Sequence, residues 1–384
     1  MVKIAYAHDG VNVYDLLFLR HLSKKNSVFL LTFNVAPDFV PSNVKILKMK
    51  EPLAKTTAGI PLMEGLRMYL LWFLRAFLMQ FHLNTLKPHI VIGCMATKYG
   101  FYSAVSSFRP LLLIVWGSDV LIAPRRFFFL RFMAKYSLRK SDAVIVDSEV
   151  QRRAVIELGC DPNKVMKFPW FDLGCIKSHA HKRDQTRREL RWINNPIIVC
   201  TRMHEPIYGV EYLLEAIPDV VNEVPESRFL LIGDGRLSTQ LKKRVKELHM
   251  DPYVKFMGRL SREETIAFMR AADVYVSTSL SDGTSASLLE AMALRLPSVV
   301  TEIPGNEEWI RDGWNGLLVP VRNPRLVADR IISLLKEKAL REEIGEHAHE
   351  TVRAKVDWSE NSRTLDFLIY TLIAKNRSNL AEKN

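Results

Sequence analysis

Two carboxylates, Asp282 and Glu290, stand eight positions apart around the stretch Ser279-Leu280-Ser281-Asp282-Gly283-Thr284-Ser285. The stretch follows a strand-like run, Ala272 to Ser277, and opens into a helix-forming run that ends at Ala293. Backbone N–H groups at a helix mouth have no partner inside the helix and attract phosphate. Carboxylates beside them can accept hydrogen bonds from sugar hydroxyls. A ligand with both phosphate and hydroxyls, a nucleotide sugar, suits such a pair. An ordinary strand–loop–helix joint would carry the same residues, so the stretch alone leaves both readings open.

Three neighbouring loops shift that balance. Thr201-Arg202-Met203-His204-Glu205-Pro206-Ile207-Tyr208-Gly209 joins a strand at 196–200 to a helix near Gly209. Arg202 offers a diphosphate a rigid fork of donors. Gly233-Asp234-Gly235 and Gly258-Arg259 each follow an apolar strand-like run. Glycine allows a tight turn and close backbone approach to a ligand. Four successive strand ends thus carry ligand-compatible loops, and ligands of open parallel sheets bind at those ends.

In the first half, Trp116-Gly117-Ser118-Asp119 follows the apolar run Leu111 to Val115, and His8-Asp9-Gly10 follows the run from Val2 to Ala7. Asp119 suits sugar hydroxyls and suits a helix N-cap equally well. The His8-Asp9-Gly10 loop suits either substrate, and His8, Asp9, Gly10 and Asp119 are the expected acceptor-binding residues.

The elements that would position these loops alternate. Strand patterns occur at 2–7, 28–33, 89–93, 111–116 and 143–147, with helical stretches at 13–25 and 66–84. A second series follows, with strands at 196–200, 228–232, 254–257, 273–277, 298–300 and 316–319. Its helices fall near 209–223, 237–248, 262–271, 286–294 and 324–335. Such alternation implies two parallel-sheet, Rossmann-like domains, here 1–180 and 181–357, facing each other across a cleft. The join lies in the polar, basic stretch 172–195. Apolar residues at helical spacing from Trp358 to Ala374 imply a C-terminal helix packing back on the first domain, with a frayed tail from Asn376.

At 384 residues and 48% apolar composition, the chain has length and apolar content for two globular domains. Cys94, Cys160, Cys175 and Cys200 are scattered, with no CxxC pair, and read as reduced thiols of a cytoplasmic protein. Cys175, His179 and His181 are too few and too basic in context for a metal site. The first residues form a strand pattern, not a secretion leader. The apolar run Met68 to Leu83 is interrupted by Arg75, Gln80 and His82 and is too short to span a bilayer.

Charge is uneven. Residues 1–180 hold 24 Lys+Arg against 12 Asp+Glu, whereas 181–384 hold 30 against 30, so the whole net charge of +12 lies in the first half. Basic and aromatic residues alternate from Arg125 to Lys140, and Arg67, Trp72 and Arg75 add to them. That mixture suits an anionic membrane face. It equally suits a core-packed helix with solvated charges. No zinc finger, RNP-like motif or helix-turn-helix supports a nucleic-acid partner.

On these motifs the chain resembles the retaining glycosyltransferases of family 4, the group 1 family with the GT-B fold. The family's E-x7-E corresponds to Asp282 through Glu290, its Gly-Arg loop to Thr201-Arg202, and its Gly-Asp-Gly to Gly233-Asp234-Gly235. Pro304 to Ile310 and Asp312 to Val319 look like the segment after the family's catalytic helix. There are departures. Asp282 replaces a Glu, Tyr208 stands where the family has a phosphate-binding Lys, Trp116 where it has a His, and Arg295 where it has a Gly.

The resemblance implies transfer of a hexose from a nucleoside-diphosphate sugar with retained configuration. The scattered cysteines and the basic first half lead us to expect it on the cytoplasmic side, peripheral to the inner membrane face. Arg202, Asp282, Glu290 and Asp119 are the expected catalytic residues. The donor is expected at Arg202, Tyr208, Gly235, Arg259, Asp282, Gly283, Thr284, Ser285 and Glu290. No cofactor or metal is implied, since no Asp-x-Asp cluster is present. A lipid-linked or glycan precursor is the expected acceptor. A nucleotide-sugar epimerase or hydrolase, or a non-catalytic relative, would share the same loops.

Overall fold

The structure, a computed structural model, describes residues 1–8, 13–34, 40–50, 61–172, 176 and 183–381. They form two compact units, Met1–Trp170 with Trp358–Asn384, and Phe171–Asp357.

The first unit is built on β1 (Lys3–Ala7), β2 (Ser27–Thr32), β3 (Lys45–Lys48), β4 (Ile90–Cys94), β5 (Leu111–Ile114), β6 (Ala143–Val146) and β7 (Val165–Lys167). All pair in parallel, in the order β3-β2-β1-β4-β5-β6-β7. Helices α1 (Val13–Leu22), α2 (Pro61–Leu86), α3 (Tyr99–Val105), α4 (Ala123–Arg126), α5 (Phe128–Lys140) and α6 (Glu149–Glu157) connect them. Central strands of such a sheet are covered on both faces, which is why β4, β5 and β6 read as continuous apolar runs.

The second unit repeats the plan with β8 (Ile197–Cys200), β9 (Arg228–Ile232), β10 (Val254–Gly258), β11 (Val274–Ser277), β12 (Ser298–Thr301) and β13 (Leu317–Val319). Its parallel order is β10-β9-β8-β11-β12-β13. Around it lie α7 (Arg183–Leu190), α8 (Val210–Glu223), α9 (Ser238–Glu247), α10 (Arg262–Ala271), α11 (Ala286–Ala293), α12 (Pro304–Glu307), α13 (Pro324–Lys336) and α14 (Lys338–Lys355). Both units therefore have the expected Rossmann-like form.

The last helix, α15 (Trp358–Ala381), returns to the first unit. Leu365, Leu368, Ile369, Leu372 and Ile373 enter the core formed by Ile4, Tyr6 and Phe18, and His21 Nε2 meets Asp366 at 2.9 Å. The helix runs past the expected end at Ala374, and Asn376 Nδ2 donates to the Arg109 carbonyl at 3.3 Å.

The polar stretch before β8 is not only a linker. Its α7 carries Arg187, which is buried and donates to Asp273 Oδ2 and to the carbonyls of Ala271, Ile193 and Asn195. No helix among the described residues is long and apolar enough to cross a membrane.

Candidate active site

In a doubly wound sheet, the loops after neighbouring strands part where the strand order reverses, and a crevice opens there. In the second unit the order reverses between β8 and β11. The loop after β8 carries Arg202, and the loop after β11 carries Asp282. Strand order alone brings these two residues, far apart in sequence, to one place.

The contacts between the loops are specific. Thr278 Oγ1 donates to the Gly209 carbonyl at 2.8 Å, and Leu280 N donates to the Ile207 carbonyl at 2.8 Å. Gly209 has φ +54°, and a Cβ there would lie 2.4 Å from the Thr278 carbonyl oxygen. Gly305, at the start of α12, packs against the Asp282–Gly283 turn. A Cβ there would sit 2.1 Å from the Gly283 carbonyl oxygen.

Arg202 is the hub. It is buried, yet its Nη1 donates to Ser285 Oγ at 2.8 Å and to Ser287 Oγ at 3.1 Å, and its Nη2 lies 2.5 Å from Asp282 Oδ2. Among the described residues nothing accepts a hydrogen bond from its Nε. Burial works against the guanidinium's charge, but Asp282, Tyr275 and Tyr208 outweigh it and raise the pKa, so Arg202 stays cationic. Ser285 is the N-cap residue of α11 but does not cap it, since its hydroxyl serves Arg202. Ser287 also meets Tyr275 Oη at 2.8 Å.

Tyr208 does something the sequence did not announce. Its ring lies under the guanidinium, 4.2 Å from Cζ to centroid, so it supports Arg202 by a cation–π contact. The Gly283 N–H donates to the side chain of Asp282 at 2.9 Å. Thr284 is half-buried beside it.

Glu290 lies further along α11 and is buried. Its Oε1 accepts from Arg262 Nε at 2.9 Å. Burial raises its pKa, and Arg262 works against that rise. Arg262 opens α10, whose start is fixed by a capping box: Ser261 Oγ accepts from Glu264 N, and Glu264 Oε2 accepts from Ser261 N. The sequence reading missed Arg262, although the Ser-x-x-Glu signal that places it was legible.

The Gly-Asp-Gly turn is tied to the Arg202 loop through His204. Its Nδ1 meets Ser238 Oγ at 2.8 Å, its N–H donates to the Asp234 carbonyl, and its carbonyl accepts from Leu237 N. Gly235 N donates to Ser238 Oγ at 2.9 Å. His204 is buried, which lowers its pKa. Arg259 stands exposed at the end of β10.

In the first unit the strand order reverses between β1 and β4. His8 follows β1, is buried, and its Nδ1 lies 3.3 Å from Asp15 Oδ2. Tyr6 Oη donates to Asp15 Oδ1 at 2.8 Å. The His8 ring lies 5.6 Å from Trp116, which in turn lies 5.6 Å from Trp170. Asp9 and Gly10 lie outside the described residues.

Asp119 is not available to sugar hydroxyls in this arrangement. It is buried, and its two oxygens accept from Ala96 N at 2.6 Å and Trp116 N at 2.9 Å. It therefore pins the loops after β4 and β5 together. Burial raises its pKa, and those backbone donors oppose the rise.

Comparison with known proteins finds matches in both halves of the chain. Residues 194–337 match the family described as Glycosyl transferases group 1, and residues 3–148 match that described as Glycosyl transferase 4-like. An uncharacterized glycosyltransferase of Methanocaldococcus jannaschii is 32% identical over 65% of this chain and 65% of its own length. The N-acetyl-alpha-D-glucosaminyl L-malate synthase of Bacillus anthracis is 30% identical over 71% of this chain and 69% of its own. Among solved structures, Anabaena HepE in complex with UDP-glucose aligns with a TM-score of 0.76 at 19% identity, covering 99% of this chain and 100% of that one, a likeness of fold. The chain belongs to the group 1 glycosyltransferases, and its two parallel-sheet units are those of the GT-B fold.

Proposed function

We propose that the protein transfers a hexose from a nucleoside-diphosphate sugar to a lipid-linked or cell-surface glycan precursor, with the anomeric configuration retained. One observation carries the reading: a buried, charged Arg202 at the switch point of the second sheet, pointed at the mouth of α11 and flanked by Asp282. A guanidinium beside a helix N-terminus is a site for a diphosphate. The UDP-glucose bound to Anabaena HepE supports a nucleotide sugar as the ligand.

In this reading Arg202 and the N–H groups at the mouth of α11 around Ser285 hold the diphosphate. Preorganised donors of this kind, aimed where charge develops, are worth about 3 kcal/mol each in the transition state. Tyr208 braces the guanidinium. Asp282 receives sugar hydroxyls and faces the carbon that gains positive charge. Glu290 receives ribose hydroxyls, and Gly235 and Arg259 border the nucleotide. The C1–O bond to phosphate breaks as the acceptor oxygen bonds C1 from the same face, and a phosphate oxygen takes the acceptor proton. No protein nucleophile or metal ion is needed, so a chelator leaves turnover unchanged.

His8 of the first unit contacts the acceptor, and the basic first unit rests on the anionic inner face of the cytoplasmic membrane. Thermal shifts with a panel of nucleoside diphosphates and their sugars identify the donor through stabilisation by bound ligand. Product analysis with that donor and a lipid-linked glycan then gives an α or β linkage matching the donor. An inverted linkage overturns retention. Free sugar or an epimer without acceptor product overturns transfer.

A further inference from the structure

Helix α2 turns large apolar side chains to solvent. Phe73 is 54% exposed, Phe77 68% and Phe81 60%, and Leu70 is exposed too. Spacings of three, four and four residues place them on one stripe of the helix. The stripe runs about 16 Å along the axis. Helix α5 does the same at its start, where Phe128 is 88% exposed and Phe132 half-exposed one turn later.

These two stripes belong to one surface. Trp72 of α2 stacks on Phe129 of α5 with centroids 4.9 Å apart and planes 7° from parallel. Each ring is the chain neighbour of an exposed phenylalanine, Phe73 and Phe128. Around α5 the exposed charges are Arg125, Arg126, Arg131, Arg139 and Lys140. No Asp or Glu occurs in residues 65–86 or 120–141.

An apolar ridge bordered by cations, with no acid in either stretch, fits one partner best. A second copy of the chain would bring those arginines against each other with no acid to pair them. Nucleic acid would need cations along the ridge, and α2 from Leu70 onward carries only Arg75. An anionic bilayer satisfies both parts, since phenylalanine enters the acyl boundary while arginine and lysine stay among headgroups.

We infer that the aromatic face shared by α2 and α5 inserts into an anionic phospholipid bilayer and seats the first unit there. The inference rests on the membrane-facing reading of that unit and adds a hydrophobic anchor to its charge. The anchor lies in the interface, since α2 and α5 are not spanning helices.

Vesicles of phosphatidylglycerol and phosphatidylcholine test it by co-sedimentation. The wild-type protein binds, and part of that binding survives high salt, because insertion is not screened. The Phe77→Asn/Phe81→Asn variant partitions about tenfold more weakly at high salt, while its melting curve and its thermal shift with nucleoside diphosphate match wild type. Lipids brominated in the acyl chain quench wild-type tryptophan emission, and Trp72→Phe removes most of that quenching.

Release of the wild type by salt, with the phenylalanine variant binding equally well, overturns insertion and leaves an electrostatic membrane contact standing. No vesicle binding at all overturns both, while the donor thermal shift still reports on sugar transfer. Wild-type dimerisation or retention of single-stranded RNA that the same variant abolishes assigns the face to another partner and also overturns the inference.

Discussion

Arg202 and Asp282 lie 80 positions apart in sequence, yet their Nη2 and Oδ2 atoms are 2.5 Å apart across the switch point of the second sheet. The carboxylate that helps keep the guanidinium charged also competes with any diphosphate for it. Asp282→Asn relieves that competition. A nucleoside diphosphate then binds several-fold more tightly by titration calorimetry, whereas turnover falls by at least about 100-fold because the sugar loses its anionic neighbour. Unchanged turnover would remove Asp282 from the chemistry.

Arg262 and Glu290 form a buried pair in which neither side chain is more than 21% exposed. Arg262→Ala leaves the carboxylate buried without its cation, at a cost of about 3 kcal/mol in urea denaturation. Adding Glu290→Gln removes the stranded charge and restores a large part of that loss. A double variant as unstable as the sum of the two singles would show that the pair is not coupled.

Burial holds the His204 pKa below the ordinary 6.5. As pH falls below that value, the unfolded chain takes up a proton that the folded chain resists. Stability is therefore lost as pH drops from about 6.5 toward the folded-state pKa, and it is flat above about pH 7. Urea midpoints measured from about pH 7.5 to about pH 5.5 fall more steeply in wild type than in His204→Asn. Parallel curves would place the pH dependence elsewhere.

Gly305→Ala forces a methyl group against the Gly283 carbonyl and displaces the Asp282–Gly283 turn. The fold loses about 1–3 kcal/mol, and donor affinity falls with it. Wild-type values of both by thermal melt and calorimetry would mean that the turn yields freely.

Much of this was legible in the sequence for one physical reason. Buried parallel strands need continuous apolar runs, so Leu111–Ile114 and Val274–Ser277 announced themselves. The edge strand Lys45–Lys48 did not, because lysines at both ends suit an edge and hide it from an apolar pattern. Arg202 and Asp282 were legible because strand ends are where ligands bind. The task of Asp119 was not. Its type suits both a hydroxyl and a backbone N–H, and only the fold brings Ala96 within reach. Arg262 was hidden similarly, since an arginine opening a helix looks solvated until α11 lies against it.

The central claim is that Arg202 grips the diphosphate of the donor. Titration of the preferred nucleoside diphosphate into wild type and Arg202→Ala, with melting curves showing both folded, tests it most directly. A loss of affinity of about 10- to 100-fold in the variant is the predicted result. Equal affinity in the two proteins would contradict it.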